Sequence, residues 1–182
     1  HACAPLPAAI RERIKDHPCF SEQAHHHHAR MHVPVASACN VQCNYCNRKY
    51  DCTNESRPGV TSSRQTPRQA LEKVLATVEA LPNLSVVGIA GPGDALANPA
   101  ATFETLALLR EHAPHLKLCL STNGLALLDH LTDIVRHGVE HVTVTINTID
   151  PAIGAAIYAW VRRDGERLTG RAAAEYLIER QL

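Results

Sequence analysis

The sequence lacks both a net charge and a long apolar run. Lysine plus arginine number 18, as do aspartate plus glutamate, so no overall field favours nucleic acid or an anionic membrane surface. No apolar stretch approaches the ~20 residues that cross a bilayer, and the start, "HACAPLPAAIRERI", lacks the basic-then-apolar order of a signal peptide. We therefore expect a cytoplasmic protein with no nucleic-acid partner and no membrane partner.

Strand and helix patterns alternate along most of the chain. At 182 residues and 45% hydrophobic, the sequence can bury one sizeable core. Alternation with short connections indicates an α/β fold with a parallel sheet and right-handed crossovers. The predicted strands are 31–37, 84–90, 116–122 and 141–148, and the predicted helices begin at Pro67, Pro99, residue 125 and Pro151.

Two of these strands carry polar side chains on one face only. Because side chains alternate along a strand, the apolar face should meet the helices and the polar face should line a barrel interior. The apolar residues are Leu118, Leu120, Val142, Val144 and Ile146; the polar ones are Cys119, Ser121, Asn123, Thr143, Thr145 and Asn147.

Four of the seven cysteines lie in "ACNVQCNYCNRKYDC", residues 38–52. In a reducing compartment, clustered cysteines indicate metal binding or catalysis more often than disulfides. Cys39, Cys43 and Cys46 have the spacing C-x3-C-x2-C, which can hold three irons of a 4Fe-4S cluster and leave the fourth iron open. Structural zinc fits poorly, because it usually takes four ligands in two pairs.

This spacing, with Tyr45 before the last cysteine, resembles the signature of the radical S-adenosylmethionine (SAM) superfamily. The resemblance implies a barrel of six strand-helix units, in which SAM binds the open iron and is cleaved to methionine and a 5'-deoxyadenosyl radical. "GPGD", with Gly91, Gly93 and Asp94, matches the loop that holds the methionine amino group. From the polar strand faces we expect further contacts with SAM or a cluster at Ser121, Asn123, Thr145 and Asn147.

A narrower resemblance covers residues 17–60, through "HPC", "ARMHV", "RKYDC" and "NESRPGV". These segments are similar to the radical SAM enzymes that build the carbide-containing core of the nitrogenase cofactor. The resemblance implies two further 4Fe-4S clusters as substrates, which are fused around a SAM-derived carbide into an 8Fe-9S-C product. It also implies a nitrogenase cofactor assembly scaffold and iron-sulfur donor proteins as partners, with flavodoxin or ferredoxin as the electron donor. The run His25 to His28 then belongs to the native sequence rather than to a purification tag.

The same resemblance assigns ligands to the two substrate clusters. Cys52, Cys119 and one histidine are assigned to one cluster, and Cys19 to the other. The candidate histidine is His32, which shares a strand side with residues 34 and 36. A buried cysteine that acts only as a small hydrophobe is the alternative for Cys119 and Cys52.

Glu55 and Arg57 follow the cysteine loop in "NESRPG". Glu55 is a candidate proton acceptor, and Arg57 is a candidate partner for the SAM carboxylate or an anionic cluster. A surface ion pair between the two is the alternative.

The chain departs from the family pattern at its end. We divide it into an N-terminal extension, 1–30, which carries candidate cluster ligands, and 31–182, a truncated N-terminal part of a radical SAM barrel. About four strand-helix units are present of the expected six, and the family's later C-x2-C pair does not follow Cys119. The sequence therefore leaves open whether this chain alone completes the reaction.

Iron counting after anaerobic reconstitution separates the competing functions. A radical SAM enzyme that acts on a peptide or nucleotide should hold about four irons per chain, whereas an enzyme with two further clusters should hold substantially more. A non-catalytic iron-sulfur carrier should give an electron paramagnetic resonance signal that ignores added SAM. We expect one SAM-sensitive signal beside a second signal that does not respond to SAM, and a single SAM-insensitive cluster would contradict this.

Overall fold

The computed structural model describes residues 6–15, 17–47, 49–50, 52, 54 and 64–182. Two short 3-10 helices, Ala95–Ala97 and Leu128–His130, supplement the main elements. In chain order the helices and strands are α1 (Ala8–Ile14), α2 (Glu22–His27), β1 (Ala29–Val33), β2 (Val41–Cys43), α3 (Pro67–Ala80), β3 (Leu84–Ile89), α4 (Pro99–His112), β4 (Lys117–Thr122), α5 (Leu131–Arg136), β5 (His141–Val144), α6 (Pro151–Ile157), β6 (Tyr158–Arg163), β7 (Glu166–Leu168) and α7 (Gly170–Gln181).

The main sheet is parallel, with the strand order β1-β3-β4-β5. Its helix-facing side and the helices α3 and α4 form one core, which includes Val87, Ile89, Leu106, Leu118 and Leu120. All five side chains are less than 2% exposed. This architecture confirms the predicted α/β class and is consistent with a partial barrel.

The start of α3 forms as its sequence predicts. The Thr66 hydroxyl accepts a hydrogen bond from the Gln69 backbone, while the Gln69 side chain accepts one from the Thr66 backbone. Pro67 occupies the first helical position, where its missing N–H costs nothing. This reciprocal cap fixes the point at which the chain turns from the cysteine-rich region into the first crossover helix.

Several predicted boundaries were wrong. The first strand spans 29–33 rather than 31–37, because Pro34 has no N–H with which to extend the ladder. The last strand of the main sheet ends at Val144 rather than residue 148. Residues 125–137 do not form one helix: a 3-10 helix and α5 meet at His130, whose φ of −119° and ψ of 11° are not helical.

A second, antiparallel sheet with the order β2-β6-β7 was not predicted. It pairs the cysteine loop with a hairpin more than 100 residues later. The hairpin turn, Asp164-Gly165, has φ values of 50° and 86°, both left-handed, as a two-residue turn of this kind requires. An Asp-Gly pair between strand-like segments is a recognised hairpin signal, so the sequence did contain the evidence.

The second sheet packs against α7 and forms its own small core. Val41, Tyr158 and Val161 from the strands meet Ala173 and Leu177 from the helix, and each is at most 3% exposed. This core anchors the cysteine loop, because Val41 lies two residues before Cys43, and Cys39 and Cys43 pack against the same core.

The outer edge of the main sheet is open. Val142 and Ile146 are 36% and 42% exposed, so the prediction that they face covering helices was wrong. They are exposed because β5 is an edge strand and α6 packs mainly against α7. Among the described helices, none is long and apolar enough to cross a bilayer.

The contact between α6 and α7 depends on Gly154. A Cβ atom at this position would lie 2.6 Å from Ala174 Cβ. We expect Gly154→Val to lower the free energy of unfolding by about 1–3 kcal/mol, because overpacking forces the helices apart. Urea denaturation measures this change. Ala156→Val, at an exposed position of the same helix, is the control, and an equal loss in both variants would contradict the packing argument.

Candidate active site

A cavity at the carboxyl ends of the main-sheet strands gathers most of the predicted site residues. This is the edge of a parallel sheet where loops bring functional groups together. The predicted residues that line it are Cys39, Cys43, Tyr45, Cys46, Cys52, Gly93, Asn123, Thr145 and Asn147. Val41, Asn54, Pro92, Tyr158, Leu177 and Gln181 line the same cavity and were not predicted.

The cysteine loop is held by its own side chains and by α6. The Gln42 amide donates to the carbonyl oxygens of Cys43 and Cys46, each at 3.0 Å. The Asn44 amide donates to the Ala156 carbonyl at 2.7 Å. These bonds fix the backbone around the second and third cysteines, so that the thiols face a common space.

The three half-buried thiols fit a 4Fe-4S cluster better than a single ion. Cys39, Cys43 and Cys46 all line the cavity and share one short loop. Within the described residues, no group of three or more His, Cys, Asp or Glu side chains converges on one metal position. Thiolates that each bind a different iron stand around a cluster rather than around a point, so this arrangement suits the cluster.

Asn123 connects the end of β4 to the cysteine loop. Its amide nitrogen donates to Asn40 Oδ1 at 2.7 Å and lies 3.6 Å from Cys39 Sγ, within donating distance of the sulfur. A donor at this distance stabilises negative charge on a thiolate. The placement supports the predicted contact between Asn123 and a cluster.

The GPGD loop lies directly against the segment before Cys39. A Cβ atom at Gly93 would sit 1.9 Å from the Ala38 carbonyl oxygen, so only glycine fits there. The Gly93 N–H donates to the Ala36 carbonyl at 2.6 Å, and the Asp94 N–H donates to the Ala38 carbonyl at 2.8 Å. Gly91 has a φ of 70°, which also favours glycine. The loop therefore forms one wall of the cavity.

Asp94 is fully buried, and its carboxylate is used within the protein. It accepts hydrogen bonds from the Thr122 hydroxyl and from the N–H groups of Leu96, Ala97 and Asn123, the last at 2.6 Å. Burial raises the pKa of Asp94, and these donors oppose that rise. The observed contacts give Asp94 a positioning role: it fixes the backbone of Asn123.

A hydrogen-bonded group of two tyrosines and two asparagines forms the opposite wall. The Asn147 amide donates to the hydroxyl oxygens of Tyr45 at 2.9 Å and Tyr158 at 3.3 Å. The Asn54 amide also donates to the Tyr45 hydroxyl. Burial raises the pKa of Tyr45 to about 12, so this phenol stays neutral and can donate to a ligand.

Ser121 and Gln181 differ from expectation in opposite ways. Ser121 is half-buried on β4 but does not line the cavity. Gln181, which was not predicted, donates to the carbonyl oxygens of Asn123 at 2.6 Å and Thr145 at 3.0 Å. The last helix thus ties together two strand ends, and no local pattern in the sequence signals a contact across 58 residues.

A second group of soft ligands lies deeper on the same sheet face. His32, Gly88, Cys119 and His141 occupy adjacent positions across the four parallel strands. The His32 ring lies over Gly88, where a Cβ atom would come within 2.8 Å of it. Cys119 is 8% exposed. Burial raises the pKa of Cys119 to about 11, so it is a neutral thiol without a bound metal.

Cys19 belongs to this second group rather than to the cavity. Its charge influences the pKa of Cys119, and Arg30 Nη1 donates to its sulfur. Cys52, in contrast, lines the cavity with Cys39, Cys43 and Cys46. The structure therefore groups Cys119 with Cys19, whereas the sequence analysis had paired Cys119 with Cys52.

Two further histidines, the buried His17 and the half-buried His141, complete the second group, and the sequence analysis did not name either as a ligand. The rings of His17 and His141 lie 4.2 Å apart, and His17 is fully buried. Burial lowers the pKa of His17 to about 4, so its ring is neutral at physiological pH. His17 Nε2 and His141 Nδ1 are buried and have no hydrogen-bond partner among the described residues. The "HPC" motif was the available signal for His17.

Two predicted residues, Glu55 and Arg57, lie outside the described residues, as does the unassigned Cys3.

Comparison with known proteins agrees with this geometry. The model of the radical SAM superfamily matches residues 33–179, which include the cysteine loop, the strands β3, β4 and β5, and the last residue of β1. The chain belongs to the radical SAM superfamily. A solved structure, "BtrN in complex with AdoMet and 2-DOIA", matches with a TM-score of 0.48 and 19% identity, over 64% of this chain and 45% of that one.

The narrower resemblance is also confirmed. The FeMo cofactor biosynthesis protein NifB of Bradyrhizobium diazoefficiens is 64% identical over 97% of this chain and 36% of its own length. The protein of the same name from Klebsiella pneumoniae is 60% identical over 100% of this chain and 40% of its own length. The chain thus spans well under half the length of these curated relatives.

The network around Asp94 predicts a specific loss of stability. In Asp94→Asn an amide NH2 replaces an oxygen that accepts N–H and O–H bonds, which leaves buried donors unsatisfied. We expect the free energy of unfolding to fall by about 1–3 kcal/mol in urea denaturation. The control is Asp164→Asn, since that side chain is 92% exposed and its left-handed φ also suits asparagine. Equal stability of the two variants would contradict the network.

Proposed function

We propose that the chain is part of a radical SAM enzyme of nitrogenase cofactor biosynthesis, which inserts a SAM-derived carbide while it fuses two 4Fe-4S clusters into an 8Fe-9S-C precursor. The observation that carries the proposal is the presence of two separate groups of soft ligands on one sheet face. One holds three thiols at the radical SAM spacing, and the other holds thiols and imidazoles that such a cleavage site does not need. The names of the relatives support the same assignment.

Cys39, Cys43 and Cys46 would hold the resident cluster, and SAM would fill the rest of the cavity. When bound, the cluster and SAM together would supply a 5'-deoxyadenosyl radical. Asn123 donates towards Cys39 and keeps the first thiolate in place. Val41 and Leu177, at most 3% exposed, close the floor and exclude water from the reacting groups.

The polar rim of the cavity suits the two ends of SAM. Gly91, Gly93 and Asp94 belong to the loop that we expect to hold the methionine amino group, with Asp94 acting through the backbone that it fixes. Thr145 and Asn147 on the far wall are the candidates for contacts with the adenosyl part. The Tyr45 hydroxyl, already bonded to Asn147, can turn its proton to an acceptor on the ligand.

The second ligand group would bind one of the two substrate clusters. Cys19, Cys119 and His32 are the proposed ligands. Cys19 adds to the rise in the pKa of Cys119 that burial causes, and Cys119 lies in register with His32 across the intervening Gly88. Arg30 beside Cys19 would offset the negative charge of a thiolate-bound cluster. Cys52 would serve the other substrate cluster, from its position at the cavity.

A histidine ligand suits a cluster that is consumed, because imidazole is neutral and leaves more readily than a thiolate. Glu55 and Arg57 are proposed as proton acceptor and anion partner, respectively, on the basis of the sequence alone. The proposed partners are a nitrogenase cofactor assembly scaffold, iron-sulfur donor proteins, and flavodoxin or ferredoxin as the electron source. We propose a cytoplasmic location for these encounters.

Single cysteine variants separate the two ligand groups. Cys119→Ala should lower the iron content of the reconstituted protein by about four per chain and leave reductive SAM cleavage intact, because it removes a ligand of a substrate cluster only. Cys43→Ala should abolish SAM cleavage. Iron assays and chromatography of 5'-deoxyadenosine measure the two outcomes.

Cys3→Ala is the matched control, since no cluster is assigned to this cysteine. Unchanged iron in Cys119→Ala would remove Cys119 as a ligand. About four irons per chain in the parent protein, together with SAM cleavage, would favour a radical SAM enzyme that acts on a peptide or nucleotide instead.

A further inference from the structure

The outward side of the second sheet carries an unusual group of positive charges. In β6, Val161 points into the small core and is fully buried, so Trp160 and Arg162 point the other way. Arg167 of β7 is the cross-strand neighbour of Arg162 and lies on the same side. We call Arg64, Trp160, Arg162 and Arg167 the arginine face.

Two like charges meet on this face. Arg162 and Arg167 lie directly opposite each other, and like charges in this arrangement destabilise a strand pair. Both guanidinium groups instead lie over the Trp160 ring, at 5.9 and 4.6 Å from its centroid. Among the described residues, neither forms an ion pair. On the other side of the same hairpin Arg163 stands opposite Glu166, so the uncompensated charge is confined to the outward side.

The arginine face borders the cysteine loop. An open cavity beside it is lined by Ser37, Ala38, Cys39, Gln42, Arg64, Pro92 and Trp160, and none of these is a carboxylate. Cys39 and Pro92 line this outer cavity and also the inner cavity that gathers the three cluster cysteines. Cys39 and Pro92 thus lie between the outer cavity and the proposed cluster site.

The strand below the loop completes this connection. Gln42 pairs with Trp160 across the strands and donates to the carbonyl oxygens of Cys43 and Cys46. Trp160 is therefore the cross-strand neighbour of a side chain that bonds to the backbone of Cys43 and Cys46. A partner that rests on the arginine face approaches the cluster through a single layer of protein.

We propose that the arginine face is the docking surface of an acidic one-electron carrier protein, which reduces the cluster held by Cys39, Cys43 and Cys46. The inference rests on the proposed function and deepens it. In the step the reduced carrier loses one electron and the oxidised cluster gains it, and no atom is transferred. The carrier supplies the reductant, so the balance needs no further reagent.

The charges favour a compact acidic protein over a nucleic acid. The whole chain has no net charge, with 18 basic and 18 acidic side chains, so its positive field is local to this face. An indole ring with two guanidinium groups over it, beside a depression lined by Arg64, combines apolar surface with positive charge and suits an acidic protein surface. Such complementarity acts mainly on the rate of association.

The test compares a protein reductant with a small one. In the reconstituted protein, Arg162→Gln/Arg167→Gln should slow cluster reduction by reduced flavodoxin on the order of tenfold at low salt, because electrostatic steering is lost. Reduction by dithionite should not change. The flavodoxin rate of the parent protein should also fall as salt rises, and that dependence should flatten in the variant. Stopped-flow absorbance of the cluster measures each rate.

The matched control is Arg11→Gln/Arg136→Gln, which removes two charges at exposed positions of α1 and α5. An unchanged flavodoxin rate in the Arg162/Arg167 variant, or an equal fall in the control, overturns the proposal.

Surface plasmon resonance of oxidised flavodoxin provides a second readout that does not need a reducible cluster. If dithionite reduces no cluster in the parent, the proposed function fails, and this binding assay still decides the docking surface. Weaker binding of a single-stranded oligonucleotide with unchanged flavodoxin binding also overturns it.

Discussion

The carboxylate of Asp94 is the interaction on which the active-site geometry depends. It is fully buried, yet it reaches the end of β4 through Thr122 and Asn123 and the loop after β3 through Leu96 and Ala97. Because an unpaired carboxylate inside a protein is strongly disfavoured, loss of these donors would destabilise the fold. The Asn123 side chain in turn donates to Asn40 Oδ1 and to Cys39 Sγ. The buried Asp94 side chain is thus connected through Asn123 to the segment that carries Cys39.

The two sheets divide the work of building the cavity. The parallel sheet provides strand ends that bring Asn123, Thr145 and Asn147 to one edge, as such sheets generally do. The antiparallel sheet supports the cysteine loop, since β2 contains Cys43 and pairs with β6. Gln181 on the last helix bonds to both strand ends and joins the two halves. The cavity therefore needs residues from nearly the whole length of the chain.

Periodic and local features were predictable from the sequence, and distant contacts were not. The cysteine spacing, the cap at Thr66 and the alternation along β4 are local, so they could be read directly. The pairing of β2 with β6 joins segments more than 100 residues apart and leaves only the Asp-Gly turn as a trace. The grouping of Cys19 with Cys119 likewise depends on how the first 30 residues pack against the sheet. No periodic pattern in the sequence predicts that packing. Exposure of Val142 followed from its edge position, which strand order alone determines.

Trp160 has a consequence for how the protein can be observed. It is the single tryptophan of the sequence, and it lies in contact with two guanidinium groups beside the cysteine loop. The near-ultraviolet emission of the chain above the tyrosine band therefore originates at this one place. An iron-sulfur cluster absorbs broadly in that range, so cluster assembly and loss should be visible as quenching and recovery of a natural fluorophore, without any label.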